Sequence, residues 1–91
     1  MKHSTYFEGK VQSLSLNTDK GNATVGVIEP GKYSFGTSTQ ETMVIVSGEL
    51  KYKLPGKDWK TCKSGDKFIV EPKVTFEVEA AADAAYICYY K

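Results

Sequence analysis

The 91-residue sequence has no arginine, one histidine, two cysteines and three prolines. Without arginine, no bidentate guanidinium clamp on phosphate can be built within one chain. The single imidazole, His3, argues against a histidine metal site, a Ser-His-Asp triad or a Cys-His pair. Cys62 and Cys88 stand at no metal-ligand or redox spacing and read as free, small hydrophobic residues in or near the core. No apolar run approaches the roughly 20 residues of a membrane-spanning helix. Gly26, Gly31 and Gly36 fall at strand turns and make no glycine-rich phosphate loop. Twelve basic side chains, all lysine, balance eleven acidic ones. No global field then draws in nucleic acid or an anionic membrane. With no apolar leader before Val11, the expected location is a reducing cytoplasm.

What the chain does have is strand pattern. From Gly31 to Leu50, Tyr33, Phe35 and Thr37 alternate as one face of a strand. A wholly apolar run from Met43 to Val46 follows, then a Ser47-Gly48 turn. Alternation marks a half-covered strand, and a continuous apolar run marks one covered on both faces. Leu50, Tyr52 and Leu54 alternate with Lys51 and Lys53, a solvated face that also guards an edge. Met1 to Thr5 reads as a loose N-terminus. The parity slip between Val11 and Leu14 suits a strand carrying a bulge. Asn17 to Asn22 is a loop, and Ala23, Val25 and Val27 form a strand ended at Pro30-Gly31. Further strands lie around Phe68 and Val70, Phe76 and Val78, and Tyr86, Cys88 and Tyr90. Ala80 to Ala85 reads as a single helical turn or a small-residue loop. No window carries a helical period, so residues 1–91 form one all-β domain of eight or nine short strands, a sandwich or barrel.

The spacing Glu41-x-x-x-Ile45-Val46-x-Gly48, followed by Gly65-Asp66-x-Phe68-x-Val70, resembles the two motifs of the cupin barrel. The resemblance implies a single-domain cupin-like β-barrel of jelly-roll type. Metal-binding cupins carry histidines where this chain has polar residues around Thr37 to Thr39 and has Phe76. Phenylalanine ligates no metal, so the resemblance implies a cupin without its metal site, in which only Glu41 of the ligand set remains.

A closer match runs from Tyr6 to Tyr90. Tyr6-Phe7-x-Gly9-Lys10-Val11, Tyr33-x-Phe35-x-Thr37 and Glu41-x-Met43-x-Ile45-Val46-Ser47-Gly48-x-Leu50 are similar to the small pyrimidine/purine nucleoside phosphorylase family. So are Asp58-Trp59, Gly65-x-x-Phe68-x-Val70, Phe76 and the ending Tyr86-x-Cys88-x-Tyr90. Gln40, Glu71-Pro72 and Asn22 depart from the family at two prolines and an arginine. The resemblance implies a homodimer. It also implies phosphate-dependent cleavage of many purine and pyrimidine nucleosides to free base and ribose 1-phosphate. No cofactor is then needed, inorganic phosphate being the co-substrate.

Such chemistry passes through a sugar with oxocarbenium character, as in glycoside hydrolysis. Glu41 is the candidate catalytic residue, holding ribose hydroxyls and offsetting positive charge. Tyr33, Phe35, Trp59, Phe76 and Tyr86 are candidates to stack a base, which tolerates any base because each has a π-face. Met43 joins them as a substrate contact, Thr37 and Thr39 are candidate donors to substrate or phosphate, and Lys10 is the candidate phosphate cation. Each has a plainer alternative: aromatic core filler, a strand-end glutamate, strand-terminating threonines. Two rival functions stand beside this one. The first, favoured by the lack of arginine and of a usable histidine, is a metal-free cupin that holds a sugar or nucleoside without turning it over. The second is a structural dimer that presents its surface to a partner.

Overall fold

The computed structural model describes residues 1–91. It contains ten strands and no helix. One six-stranded antiparallel sheet runs in the order β1 (His3–Tyr6), β2 (Val11–Thr18), β3 (Gly21–Ile28), β10 (Ala84–Tyr90), β5 (Glu41–Ser47), β8 (Lys67–Val70). A four-stranded sheet runs β4 (Gly31–Gly36), β9 (Thr75–Ala80), β6 (Glu49–Lys53), β7 (Lys60–Lys63). The expected closed barrel is not what the ladders form: the strands pair into two separate sheets, packed as a sandwich over one core.

The core follows from strand alternation. Ile28, Ile45, Leu50, Val70 and Val78 are all 1% exposed or less and meet between the sheets. Burying each such side chain stabilises by about 1.5–3 kcal/mol. Tyr52 of β6 stacks on Phe68 of β8 at 3.8 Å between centroids, tying the sheets together. Gly48 makes the turn between β5 and β6 at φ +79°, and a Cβ there would stand 2.9 Å from the Asp83 carbonyl oxygen. Both the left-handed backbone and the close approach demand glycine.

Three local expectations are corrected. The N-terminus is not loose: β1 pairs with β2, the Lys2 amide donates to Ser15 Oγ, and the Ser15 amide donates back to the Lys2 carbonyl, both at 2.8 Å. The β2–β3 ladder keeps one register from Val11 to Thr18 and holds no bulge. The parity slip arises because Val11 faces the core while Leu14 and Leu16 point outward. The irregularity in the large sheet lies instead between Ala85 and Tyr86, where β10 meets β5. Residues 81–83 make a bend between β9 and β10 and form no helical turn.

The two outer faces differ in chemistry. On the four-stranded sheet, Lys51 stands opposite Glu79 and Lys53 opposite Glu77, charge pairs that suit a solvated surface. On the six-stranded sheet, Leu14, Val25, Ile87 and Val44 are consecutive cross-strand neighbours on four strands. Those four hold no charge, and the row ends in His3 of β1 and Lys67 of β8.

Candidate functional site

Between the sheets, where β4 forms the free edge of the smaller one, lies a cavity of about 410 Å³. That volume falls in the range of small-molecule sites. Its floor is the inner face of the large sheet: Ser13 and Ile28, Glu41 and Met43 of β5, and Tyr86 and Cys88 of β10. The side chains alternate along each strand, so those two residues apart share the inward face. Tyr90 continues the β10 series at the cavity end. The opposite wall is Ser34, Phe35 and Gly36 of β4 with Phe76 of β9.

Tyr6 and Phe7 close the remaining side. They reach it because the turn after β1 takes an uncommon path. Phe7, Glu8 and Gly9 lie consecutively in the left-handed region, at φ 52°, 58° and 86°. The turn is held by Gly9 N–H to the Tyr6 carbonyl at 3.1 Å and Lys10 N–H to the Phe7 carbonyl at 3.2 Å. The Phe7 ring is thereby folded back to 5.0 Å from Tyr33 and 5.5 Å from Phe35. Non-glycine residues in that region cost about 1–3 kcal/mol each, and such strain concentrates at ligand sites.

Polar groups are few. Glu41 is half-buried, and Cys88 Sγ donates a hydrogen bond to its Oε1 at 3.5 Å. Burial raises the Glu41 proton affinity above the ordinary carboxyl value, and the thiol hydrogen bond opposes the rise only in part. Burial, and then the nearby Glu41 charge, push the Cys88 thiol up to about 12. Tyr90 shares a 3.1 Å hydrogen bond with Thr24 Oγ1. Its phenol is pushed up to about 12 by burial, with the Thr24 bond opposing. No lysine, arginine or histidine lines the cavity. Nowhere do three or more His, Cys, Asp or Glu side chains gather in a way that could hold a metal ion.

Of the residues singled out from the sequence, Glu41, Phe35, Met43, Phe76 and Tyr86 come together on this cavity. The others do not line it. Tyr33 is buried behind Phe35, its hydroxyl donating to the carbonyls of Glu29 at 2.8 Å and Pro30 at 3.2 Å. Thr37 Oγ1 donates to the Glu71 carbonyl at 2.7 Å and accepts from the Val74 amide at 3.1 Å, which ties the end of β4 to the approach of β9. Thr39 lines a shallow surface depression with Gln40, Glu71 and Lys91. Trp59 is exposed before β7, with Lys32 Nζ 5.4 Å from its ring centroid. Lys10 is exposed in the β1–β2 turn.

Sequence reasoning missed Ser13 and the wall role of Tyr6 and Phe7, and it treated Cys88 and Tyr90 as mere strand residues. The period-2 run Tyr86-Cys88-Tyr90 carried the signal that all three share one inward face. For Phe7 no local rule predicts a left-handed aromatic. Ser13 follows from its row-mates only once the register is known.

A double-layered antiparallel fold with a ligand-sized cavity between the sheets is a cupin-like arrangement. Similarity to a cupin-like protein from Thermotoga maritima, with TM-score 0.72, 22% identity and coverage of 86% of this chain and 65% of that one, supports the fold. The model of the family described as pyrimidine/purine nucleoside phosphorylase matches residues 1–90. The chain belongs to that family. It is 47% identical over 91 residues to the pyrimidine/purine nucleoside phosphorylase of Pseudomonas putida strain W619, covering 99% of this chain and 97% of that protein. It is likewise 47% identical over 90 residues to the protein of that name from Alcanivorax borkumensis, covering 98% and 96%. Among solved structures, a protein of unknown function from Vibrio parahaemolyticus superposes with TM-score 0.95 at 42% identity, covering 99% of this chain and 97% of the other.

Proposed function

We propose that the chain cleaves purine and pyrimidine nucleosides with inorganic phosphate, as a pentosyltransferase of broad specificity. A phosphate oxygen bonds to C1′ of the ribose and the C1′–N bond breaks. The electron pair leaves on the base nitrogen, which takes up a proton, giving free base and ribose 1-phosphate. The observation that carries this reading is a single half-buried carboxylate, Glu41, set in an aromatic cavity of about 410 Å³. A carboxylate there accepts from ribose hydroxyls and offsets the positive charge that develops on the sugar. The base meets Phe35, Phe76 and Tyr86 with Tyr6 and Phe7. Stacking on such walls does not depend on which base is present, which accounts for broad specificity. Phosphate is a co-substrate and no cofactor takes part.

The working unit in this reading is a cytoplasmic homodimer. Its support is the uncharged row Leu14–Val25–Ile87–Val44 on the outer face of the large sheet. A two-fold axis puts the same patch on both copies, and an apolar patch is complementary to itself.

The test is to incubate the purified protein with adenosine or uridine, with and without phosphate, and to follow both products. Phosphate-dependent release of base and ribose 1-phosphate is expected. The absence of any basic side chain on the cavity favours a second reading, in which the chain binds a sugar or nucleoside without turning it over. Binding without release across a panel of nucleosides is the outcome that selects it.

A further inference from the structure

Two hydroxyls on the cavity floor are left without work by the chemistry assigned so far. Ser13 of β2 stands opposite Gly26 of β3, and Gly26 stands opposite Tyr86 of β10. The three form one cross-strand row on the inward face. Gly26 has no side chain to fill its place. A Cβ there would lie 2.4 Å from both Cζ and Oη of Tyr86. The Tyr86 ring therefore lies over Gly26, its hydroxyl above β3 in the row that Ser13 shares.

Ser13 is 5% exposed and Tyr86 7%, and both line the cavity. Neither hydroxyl makes a hydrogen bond within the chain, although no wholly enclosed side-chain oxygen lacks a partner. Each oxygen therefore keeps contact with solvent. Two hydroxyls in one row on the cavity, with no partner in the chain, are free to bond a ligand that enters it.

The chemistry of that ligand follows from what surrounds it. Glu41 is on β5, with β3 and β10 between it and β2, and it pairs with Tyr90 rather than with the Tyr86 row. The carboxylate and the hydroxyl pair thus stand at different positions on the floor, and Glu41 is the weakest of the influences on the Tyr86 phenol. A carboxylate accepts from a diol and repels an oxyanion, so the anion belongs with the hydroxyls. Across the cavity, β4 is the free edge of its sheet and lines the space with Ser34 and Gly36. A sheet edge presents unpaired backbone groups, and such edges make anion-binding concavities.

We propose that the hydroxyls of Ser13 and Tyr86, with the free backbone edge of β4 across the cavity, form the subsite for inorganic phosphate. The assignment rests on the phosphorylase reading. Neutral donors take the place that arginine or lysine fills elsewhere. Burial raises the Tyr86 phenol well above its ordinary value, so it stays protonated and a donor across the working pH range.

The experiment is calorimetric titration of the whole protein with inorganic phosphate, alone and with saturating adenine. Wild type, Ser13→Ala and Tyr86→Phe are compared, with folding checked by circular dichroism. Wild type is expected to bind, and each variant to bind roughly tenfold more weakly or worse. Nucleoside affinity of Ser13→Ala measured without phosphate is expected to stay within about twofold, since the serine hydroxyl faces the anion alone. Wild type that binds no phosphate, variants that bind it as tightly, or an equal loss of nucleoside affinity in Ser13→Ala overturns the subsite. Should Tyr86→Phe fail to fold, Ser13→Ala decides alone. The two readings fail separately. Phosphate binding through these hydroxyls without base release keeps the subsite and removes the enzyme. Phosphorolysis with an unchanged KM for phosphate in both variants does the reverse.

Discussion

Cys88 Sγ donates to Glu41 Oε1 at 3.5 Å across the β10–β5 ladder. The link is diagonal, since Cys88 pairs with Met43 and Glu41 with Tyr90. It gives the carboxylate one weak protein partner and leaves its other oxygen to the cavity. That is a poor way to stabilise a half-buried charge and a good way to keep one available.

The pH dependence follows from that poor solvation. Burial raises Glu41 above its ordinary 4.5, so the folded chain holds this proton more tightly than the unfolded chain. The stability linked to it is complete below the unfolded value and is lost as pH rises through the folded one. Turnover needs the carboxylate and runs the other way, rising with pH over the same window. Glu41→Gln keeps the shape without the charge. It is expected to lose roughly 100-fold in kcat/KM, with a Tm at pH 8 equal to or above that of wild type and a smaller advantage at pH 5. Steady-state kinetics and thermal melts at both pH values check this. Unchanged kcat/KM removes Glu41 from the mechanism.

Both thiols are expected to be inert in the native protein. Cys88 is 1% and Cys62 2% exposed, and burial raises both, Cys88 to about 12. Reactivity belongs to the thiolate. Ellman's reagent at pH 8 should find no fast-reacting thiol until denaturant exposes both. Rapid native labelling of Cys88 means the cavity floor is far more open than described.

The strands were legible because period-2 alternation is local, and Leu50-Tyr52 against Lys51-Lys53 reads directly as one face in and one out. The choice between sandwich and barrel was not legible, because whether β8 and β7 close against the opposite sheet depends on long-range ladders that alternation does not encode. The same holds for the cavity. Glu41, Phe35, Phe76 and Tyr86 were found because their types suit the implied chemistry, while Trp59 and Thr39 suit it equally and lie elsewhere. Val11 and Leu14 misled for a simpler reason: two apolar residues of one strand can face opposite ways when the outer face is itself apolar.

That outer face yields a prediction about assembly. Leu14, Val25 and Val27 are 45%, 42% and 52% exposed on one surface of the large sheet. Contiguous exposed apolar surface of this kind marks an interface. Val25→Glu sets a charge in the middle of the row, which a solvated strand tolerates and a dry interface does not. Sedimentation velocity is expected to give a dimer for wild type and a monomer for Val25→Glu, with the same circular dichroism. A wild-type monomer, or a variant that still dimerises, rules this face out.

Gly26 offers the most specific test of how the floor is built. Its φ is not in the left-handed region, so alanine meets no backbone strain there. What alanine meets is the Tyr86 ring, 2.4 Å from its Cβ at Cζ and Oη. The ring is buried and must move to make room, so stability is expected to fall by about 1–3 kcal/mol, offset in part by the entropy cost that a strand glycine carries. Phosphate affinity should fall as far as in Tyr86→Phe, because both changes take the same hydroxyl from the same place. The double variant should then be no weaker than either single one, the signature of two substitutions acting through one group. Additive losses mean that Gly26 acts on something other than Tyr86, and a Gly26→Ala protein with wild-type affinity means that the phenol is not a ligand.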